Sequence, residues 1–219
     1  MSVEKTGRDI LWDLRMAEVA KALEGNNFSV DVMFSLEDAV AFFKNSIMPR
    51  ISPKTVAVGG SQTVVHSGIY DYLRQTDVEF INPYEAGITP EKANEARHKV
   101  LSADLFVASS NALIRDGRLL NLDGLGNRVA AITFGPSKVV LFIGRNKICD
   151  NLDEAITRVR DYAAPANSIR LKRNTPCVKT GTCMGCKSPE RICNSWVLTE
   201  RCGTPGRIHI LLINEDVGY

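Results

Sequence analysis

The chain has 219 residues, 44% of them hydrophobic and 24% charged, with a formal net charge of +2. That length can bury a core without staples, and no apolar run reaches the roughly 18 residues that a membrane span needs. The near-neutral charge argues against nucleic acid as the main partner: Lys and Arg gather only around 170–173 and 179–191, with no series of aromatics among them. Charges interrupt residues 4–24 throughout, so no signal peptide is expected and the cytoplasm is the expected compartment.

Residues 4–24 read as an amphipathic helix with Ile10, Leu11, Leu14, Ala17 and Leu23 on one stripe, stopped by Gly25-Asn26-Asn27. A strand over 28–34 and a helix over 36–47 follow, and Pro49 and Pro53 mark a break before a buried strand at 55–59. Gly59-Gly60-Ser61 is a tight turn leading into a helix through Tyr72. A strand at 78–81 precedes a helix that starts at Thr89-Pro90-Glu91, a cap residue with proline in the first turn, and ends near Ser102. The strand 105–110 comes next, then two short strands within 111–122 joined at Arg115-Asp116-Gly117, a hairpin signal. Gly124–Asn127 opens a helix over 127–133, and 139–146 is a fully apolar strand of the kind buried in parallel sheets. Helices over 153–163 and from Pro165 to Arg173 lead to a cysteine-rich loop, 175–194, before strands at 195–200 and 207–213.

Strands alternating with helices predict an α/β fold with a mostly parallel sheet and helices on both faces. The whole chain, 1–219, reads as one domain with the cysteine-rich loop inserted near its C-terminal end.

Cys177, Cys183, Cys186 and Cys193 fall within seventeen residues, with Gly181 and Gly185 between them free to take the positive φ that wrapping an ion needs. In a reducing compartment such a cluster favours metal binding or redox chemistry over disulfides. Four thiolates suit either a tetrahedral zinc ion or an iron–sulfur cluster, and Lys179, Lys187 and Arg191 could offset the charge. The alternative is four unliganded thiols. Cys149 and Cys202, outside the cluster, read as small buried hydrophobes.

Two segments suggest a ligand site. Gly59, Gly60, Ser61 and Thr63 lie between a strand and a helix, where amides can face an anion, although no Gly-Lys-Ser/Thr of a P-loop follows. In the run 109–128, Asn121, Gly124, Gly126, Asn127 and Arg128 are candidate ligand contacts, with Arg128 able to fork onto a carboxylate or phosphate. Asp123 is a candidate acid or base, while Asp116 reads better as a turn residue. Glu215 follows the last apolar strand and would reach the same sheet edge if that strand is parallel, making it a second candidate catalytic carboxylate. His66 could face a ligand but reads better as a surface or packed residue; His98 reads as solvated and His209 as part of a strand.

With these pieces assembled, the sequence resembles the LUD-domain family, the lactate-utilisation proteins. The resemblance is carried by AVGGSQT (57–63), SSNALIRDGRLLNLDGLGNRVAA (109–131), FGPSKVVLFIGRNKI (134–148), RVRDYAAPAN (158–167) and the cysteine run through 194. It implies a NagB/RpiA/CoA-transferase-like fold, with a glycine-rich loop and acidic residues at one cleft, and a link to oxidation of L-lactate to pyruvate beside iron–sulfur partner subunits. The function expected is therefore binding of a small organic or phosphorylated acid, with the cysteine site, iron–sulfur or zinc, serving redox or structure in a lactate-oxidising system. Two other expectations stand beside it: an isomerase or CoA-transferase-like enzyme acting on a sugar phosphate or acyl-CoA, and a non-catalytic ligand-binding or scaffold subunit.

Overall fold

A computed structural model describes residues 5–219. Helix α1 (Gly7–Gly25) opens on a capping box between Thr6 and Asp9; residue 4 of the expected helix lies outside the described residues. The buried face of α1 is Met16, Val19 and Leu23, while Ile10, Leu11 and Leu14 are exposed. Of the expected stripe only Leu23 is buried, because the helix packs through its C-terminal half and the stripe was read from its N-terminal half.

Strand β1 (Ser29–Met33) is followed by α2 (Leu36–Phe42), a π-turn at Phe43–Ile47 and α3 (Met48–Ile51). Next come β2 (Thr55–Val58), α4 (Gln62–His66), α5 (Ile69–Arg74), β3 (Glu79–Ile81), α6 (Pro90–Val100) and β4 (Leu105–Ala108). A hairpin of β5 (Ala112–Ile114) and β6 (Leu119–Asp123) leads to α7 (Asn127–Thr133) and β7 (Lys138–Gly144). A 3₁₀ turn at Arg145–Lys147 runs into β8 (Ile148–Cys149), then α8 (Leu152–Arg158), a second π-turn at Val159–Ala163, and α9 (Ala164–Arg170). The cysteine segment holds α10 (Pro176–Thr180), and β9 (Ser195–Thr199) and β10 (Ile208–Ile213) follow.

Pro49 does not break the helix as expected. Each π-turn is followed two residues later by a proline, Pro49 or Pro165. A π-turn shifts the hydrogen-bond ladder by one residue, so a proline that cannot donate is accommodated without ending the helical run.

Six strands form one parallel sheet in the order β1-β10-β7-β4-β2-β3. Alternation along its strands splits the core in two. Ala57, Phe106, Val139, Leu141, Ile210 and Leu212 face α1 and α7, whereas Val56, Val58, Val107, Phe142, Leu211 and Ile213 face α2 to α5. Helices thus cover both faces, as the apolar strands predicted. Cys149 and Cys202 are buried in the core, also as expected.

The sequence did not disclose a second sheet, β8-β5-β6-β9, packed through Ile114 and Leu120 on Ala155 of α8 and Val159 of the π-turn that follows it. Its β5–β6 turn is wedged under α1. Asn26 donates to the Asp116 carbonyl at 3.0 Å, and Asp116 pairs with Arg118 at 2.7 Å, so Asp116 is a turn residue. Gly117 there has φ +86°, and a Cβ on it would stand 2.7 Å from the Ala22 carbonyl. Gly117→Ala is expected to lower stability by about 2 kcal/mol or more, read from urea denaturation; a midpoint like that of the wild type would show that α1 yields.

Candidate functional site

The carboxyl ends of β2, β4 and β7 open onto a cavity of about 900 Å³. A crevice outside the carboxyl ends of parallel strands is where open α/β sheets bind ligands. Its wall includes Gly60, Ser61, Gly124, Asn127 and Arg128 from the two predicted segments, brought together by the fold. Gly60 is needed for close approach: a Cβ there would meet the Tyr84 ring at 3.1 Å. Gly59, Thr63, Asn121 and Gly126 stand behind the wall instead. A Cβ on Gly59 would meet Phe106 at 3.0 Å, and Gly126 holds φ +83° at the start of α7.

Arg128 is a largely buried hub, not the free fork the sequence suggested. Its Nη1 donates to the Ser109 carbonyl at 3.2 Å and Asn121 Oδ1 at 2.6 Å, and its Nη2 donates to Asn111 Oδ1 at 2.7 Å and the Leu122 carbonyl at 2.9 Å. Its Nε lies 3.6 Å from Asp123 Oδ2. Burial pulls the guanidinium below its usual pKa, and the Asp123 charge opposes that shift.

Asp123 is on the cavity wall with its carboxylate already engaged. Oδ1 accepts from the Leu125 and Gly126 amides at 3.2 and 3.1 Å, and Oδ2 accepts from the Val129 amide at 3.3 Å. These contacts hold the loop into α7, as a helix cap does. Glu215 is not brought to the cavity. Strand β10 is parallel, as supposed, but Glu215 Oε2 accepts from the Leu36 amide at 2.9 Å and caps α2. His66 and His98 are exposed, and His209 is buried in β10 with Nε2 2.7 Å from Asp31.

The sequence reading missed Lys147. It is 3% exposed, and its Nζ donates to Ser109 Oγ at 2.8 Å, Thr63 Oγ1 at 3.1 Å and the Ser110 carbonyl at 3.3 Å, at the cavity wall. Burial first, then the charges of Arg158 and Arg128, lower its pKa to about 7. In sequence it is one cation in an Arg-Asn-Lys turn, and only the apolar strand before it hinted at burial. Around the cavity stand five guanidinium groups, those of Arg74, Arg97, Arg128, Arg170 and Arg173, and the Lys147 amine, against the carboxylates Glu85 and Asp123. Glu85 is bound to Arg74 at 2.9 Å, while Arg97 Nε is buried with no partner among the described residues. The wall therefore favours an anion.

Cys177, Cys183, Cys186 and Cys193 border one small pocket together with Arg160 and Arg191, and all four thiols are free. Among the described residues no three Cys, His, Asp or Glu groups close to the span of a single ion. Gly181 and Gly185 take φ +73° and +61°, the turns expected of them. Arg191 donates to the Cys186 and Cys193 carbonyls at 2.7 and 2.6 Å, leaving Nε buried and unpartnered. Lys179 and Lys187 are exposed and do not line the pocket, so Arg160 and Arg191 are the cations in place. Asp123 pairs with Ser195 in the β6–β9 ladder. Asn194 then donates to the Asp123 and Gly124 carbonyls at 2.9 and 3.0 Å, and Ile192 lines both cavities.

A family model of the LUD domain matches residues 16–213. Among solved structures, the chain is similar to a DUF162 family protein from Deinococcus radiodurans, with a TM-score of 0.51 and 12% identity over 92% of this chain and 97% of that one. That likeness concerns the fold, which is NagB/RpiA/CoA-transferase-like. No curated protein matches the chain. No helix among the described residues is long and apolar enough to cross a membrane.

Proposed function

Because the chain belongs to the LUD-domain family, we propose that it serves lactate-linked metabolism by binding a small organic or phosphorylated acid beside a metal centre held by Cys177, Cys183, Cys186 and Cys193. The observation that supports it best is the joint between the two cavities: Ile192 is their common wall, and Asn194 ties the cysteine segment to the loop at Asp123 and Gly124. A centre in the cysteine pocket would thus stand next to the bound acid.

The four thiols share a pocket without closing to the span of one ion, so holding such a group requires the cysteine segment to draw them together. Four thiols face one pocket, and the unpartnered Arg191 Nε and the Arg160 side chain supply positive charge against an anionic thiolate assembly. When bound, an iron–sulfur cluster supplies one-electron transfer, whereas zinc supplies structure. On the acid's side, Arg97 adds positive charge to the wall, Gly60 lets the Tyr84 ring close against the loop, and Asp123 keeps the 123–126 loop in shape. The isomerase or CoA-transferase alternative has less support, because both carboxylates on the wall, Glu85 and Asp123, are engaged within the protein.

Anaerobically purified protein is expected to be coloured and to contain iron and acid-labile sulfide, both lost in Cys183→Ser and Cys186→Ser but retained in Cys202→Ser. Colourless protein with zinc removes electron transfer from the proposal. Protein with neither metal removes the centre and leaves only the acid site.

A further inference from the structure

We propose that Lys147 is an imine-forming lysine, whose amine condenses with the carbonyl of a small 2-oxo acid held in the cavity. The assignment rests on the acid-binding reading above and specifies both the class of acid and the atom it meets.

Buried ammonium groups are ordinarily paired with a carboxylate, because an unpaired charge away from water is costly. Among the described residues Lys147 has no such partner. Its three contacts are two hydroxyls and a carbonyl; Ser109 and Thr63 also reach the Ser110 and Val217 carbonyls at 3.2 and 3.4 Å, and a neutral amine accepts from one of them when that hydroxyl turns from its carbonyl to Nζ. The charged groups on the surrounding elements are Arg128 on α7, with Asp123 engaged upon it, and Arg158 on α8. Arg158 is held there by the Asn146 and Asn111 carbonyls at 2.9 and 2.7 Å. Two guanidinium charges beside a buried amine favour the neutral form, which is the nucleophile. Its pKa of about 7 leaves that form abundant near neutrality.

The step balances without an oxidant. The nitrogen lone pair attacks the carbonyl carbon, a C–N bond forms, and the carbonyl oxygen receives one of the amine protons. The resulting carbinolamine loses that oxygen as water, which takes the second amine proton, and a C=N bond remains. Ser109 and Thr63, both hydrogen-bonded to Nζ, are placed to pass these protons. The acid's carboxylate has the positive charge of the Arg97 side chain on the same wall.

The test is to incubate the anaerobically purified protein with pyruvate and sodium cyanoborohydride and to map the product by peptide mass. The expected result is one reduced adduct on Lys147, absent in Lys147→Arg, forming faster as pH rises through about 7. Thermal shifts with pyruvate and with inorganic phosphate are read on the same samples. A shift by either ligand with no adduct on Lys147 overturns the imine and leaves acid binding standing. Neither shift nor adduct, with glyoxylate and 2-oxoglutarate also tried, overturns both. Adducts confined to exposed lysines likewise overturn the imine.

Discussion

Arg128→Met should destabilise the protein by about 3–5 kcal/mol, the cost of removing one partner from a largely buried ion pair. For a chain of this size that corresponds to a fall in Tm of roughly 10 °C or more. The guanidinium gathers acceptors from two stretches: Ser109 and Asn111 in the link between β4 and β5, and Asn121, Leu122 and Asp123 at the end of β6. Methionine matches the stem but leaves those oxygens facing an apolar group, each costing about 1–3 kcal/mol when nothing replaces the donor. Arg128→Lys keeps the charge but not the planar fork, so it should recover only part of the loss. The measurement is urea unfolding of the three proteins. Equal midpoints would mean that water takes over the contacts and that the hub has no structural weight.

The second large effect is a pH dependence. Lys147 has a folded pKa of about 7, against an ordinary lysine value of 10.5. Above the ordinary value the amine is neutral in both states and costs the fold nothing through titration. As pH falls through the window from the ordinary value to the folded one, the unfolded chain takes up the proton first. Wild-type stability should therefore decline with falling pH at up to about 1.4 kcal/mol per unit and level off below the folded pKa. Lys147→Met has no such group, so the difference in unfolding free energy between the two proteins should carry that slope. Parallel pH profiles for the two would show that the amine is not depressed in the fold.

Much of the main sheet was legible because its strands are short, continuous apolar runs separated by glycine and proline, and each lies close to where such a run predicts. The hairpin at Arg115-Asp116-Gly117 was readable for the same reason, since a turn needing positive φ selects glycine. What could not be read depends on contacts between distant segments. Strand β8 is two residues long and exists only because β5 lies beside it, so it leaves no period to detect. The face of α1 was misjudged because Ile10, Leu11 and Leu14 form a tidier stripe than the one that is buried. In the site, the glycines announced the loop, but Asp123 looked free because it accepts from backbone amides that any sequence supplies, and Arg128 because its asparagine partners are not charged. Lys147 gave no signal for the converse reason: a lysine in a polar turn is ordinary until the hydroxyls of Thr63 and Ser109 close over it.

Strand β1 sits at the sheet edge, and its one neighbour in the sheet is β10. During synthesis Ser29–Met33 leaves the ribosome early, yet nothing can zip onto it until Ile208–Ile213 has emerged. Strands β2, β3 and β4, made after it, can meanwhile assemble among themselves, so β1 docks later than strands that follow it in the chain. A nascent chain stalled before β10 should therefore expose an unpaired strand to chaperones, and pairings this distant in sequence favour slow maturation.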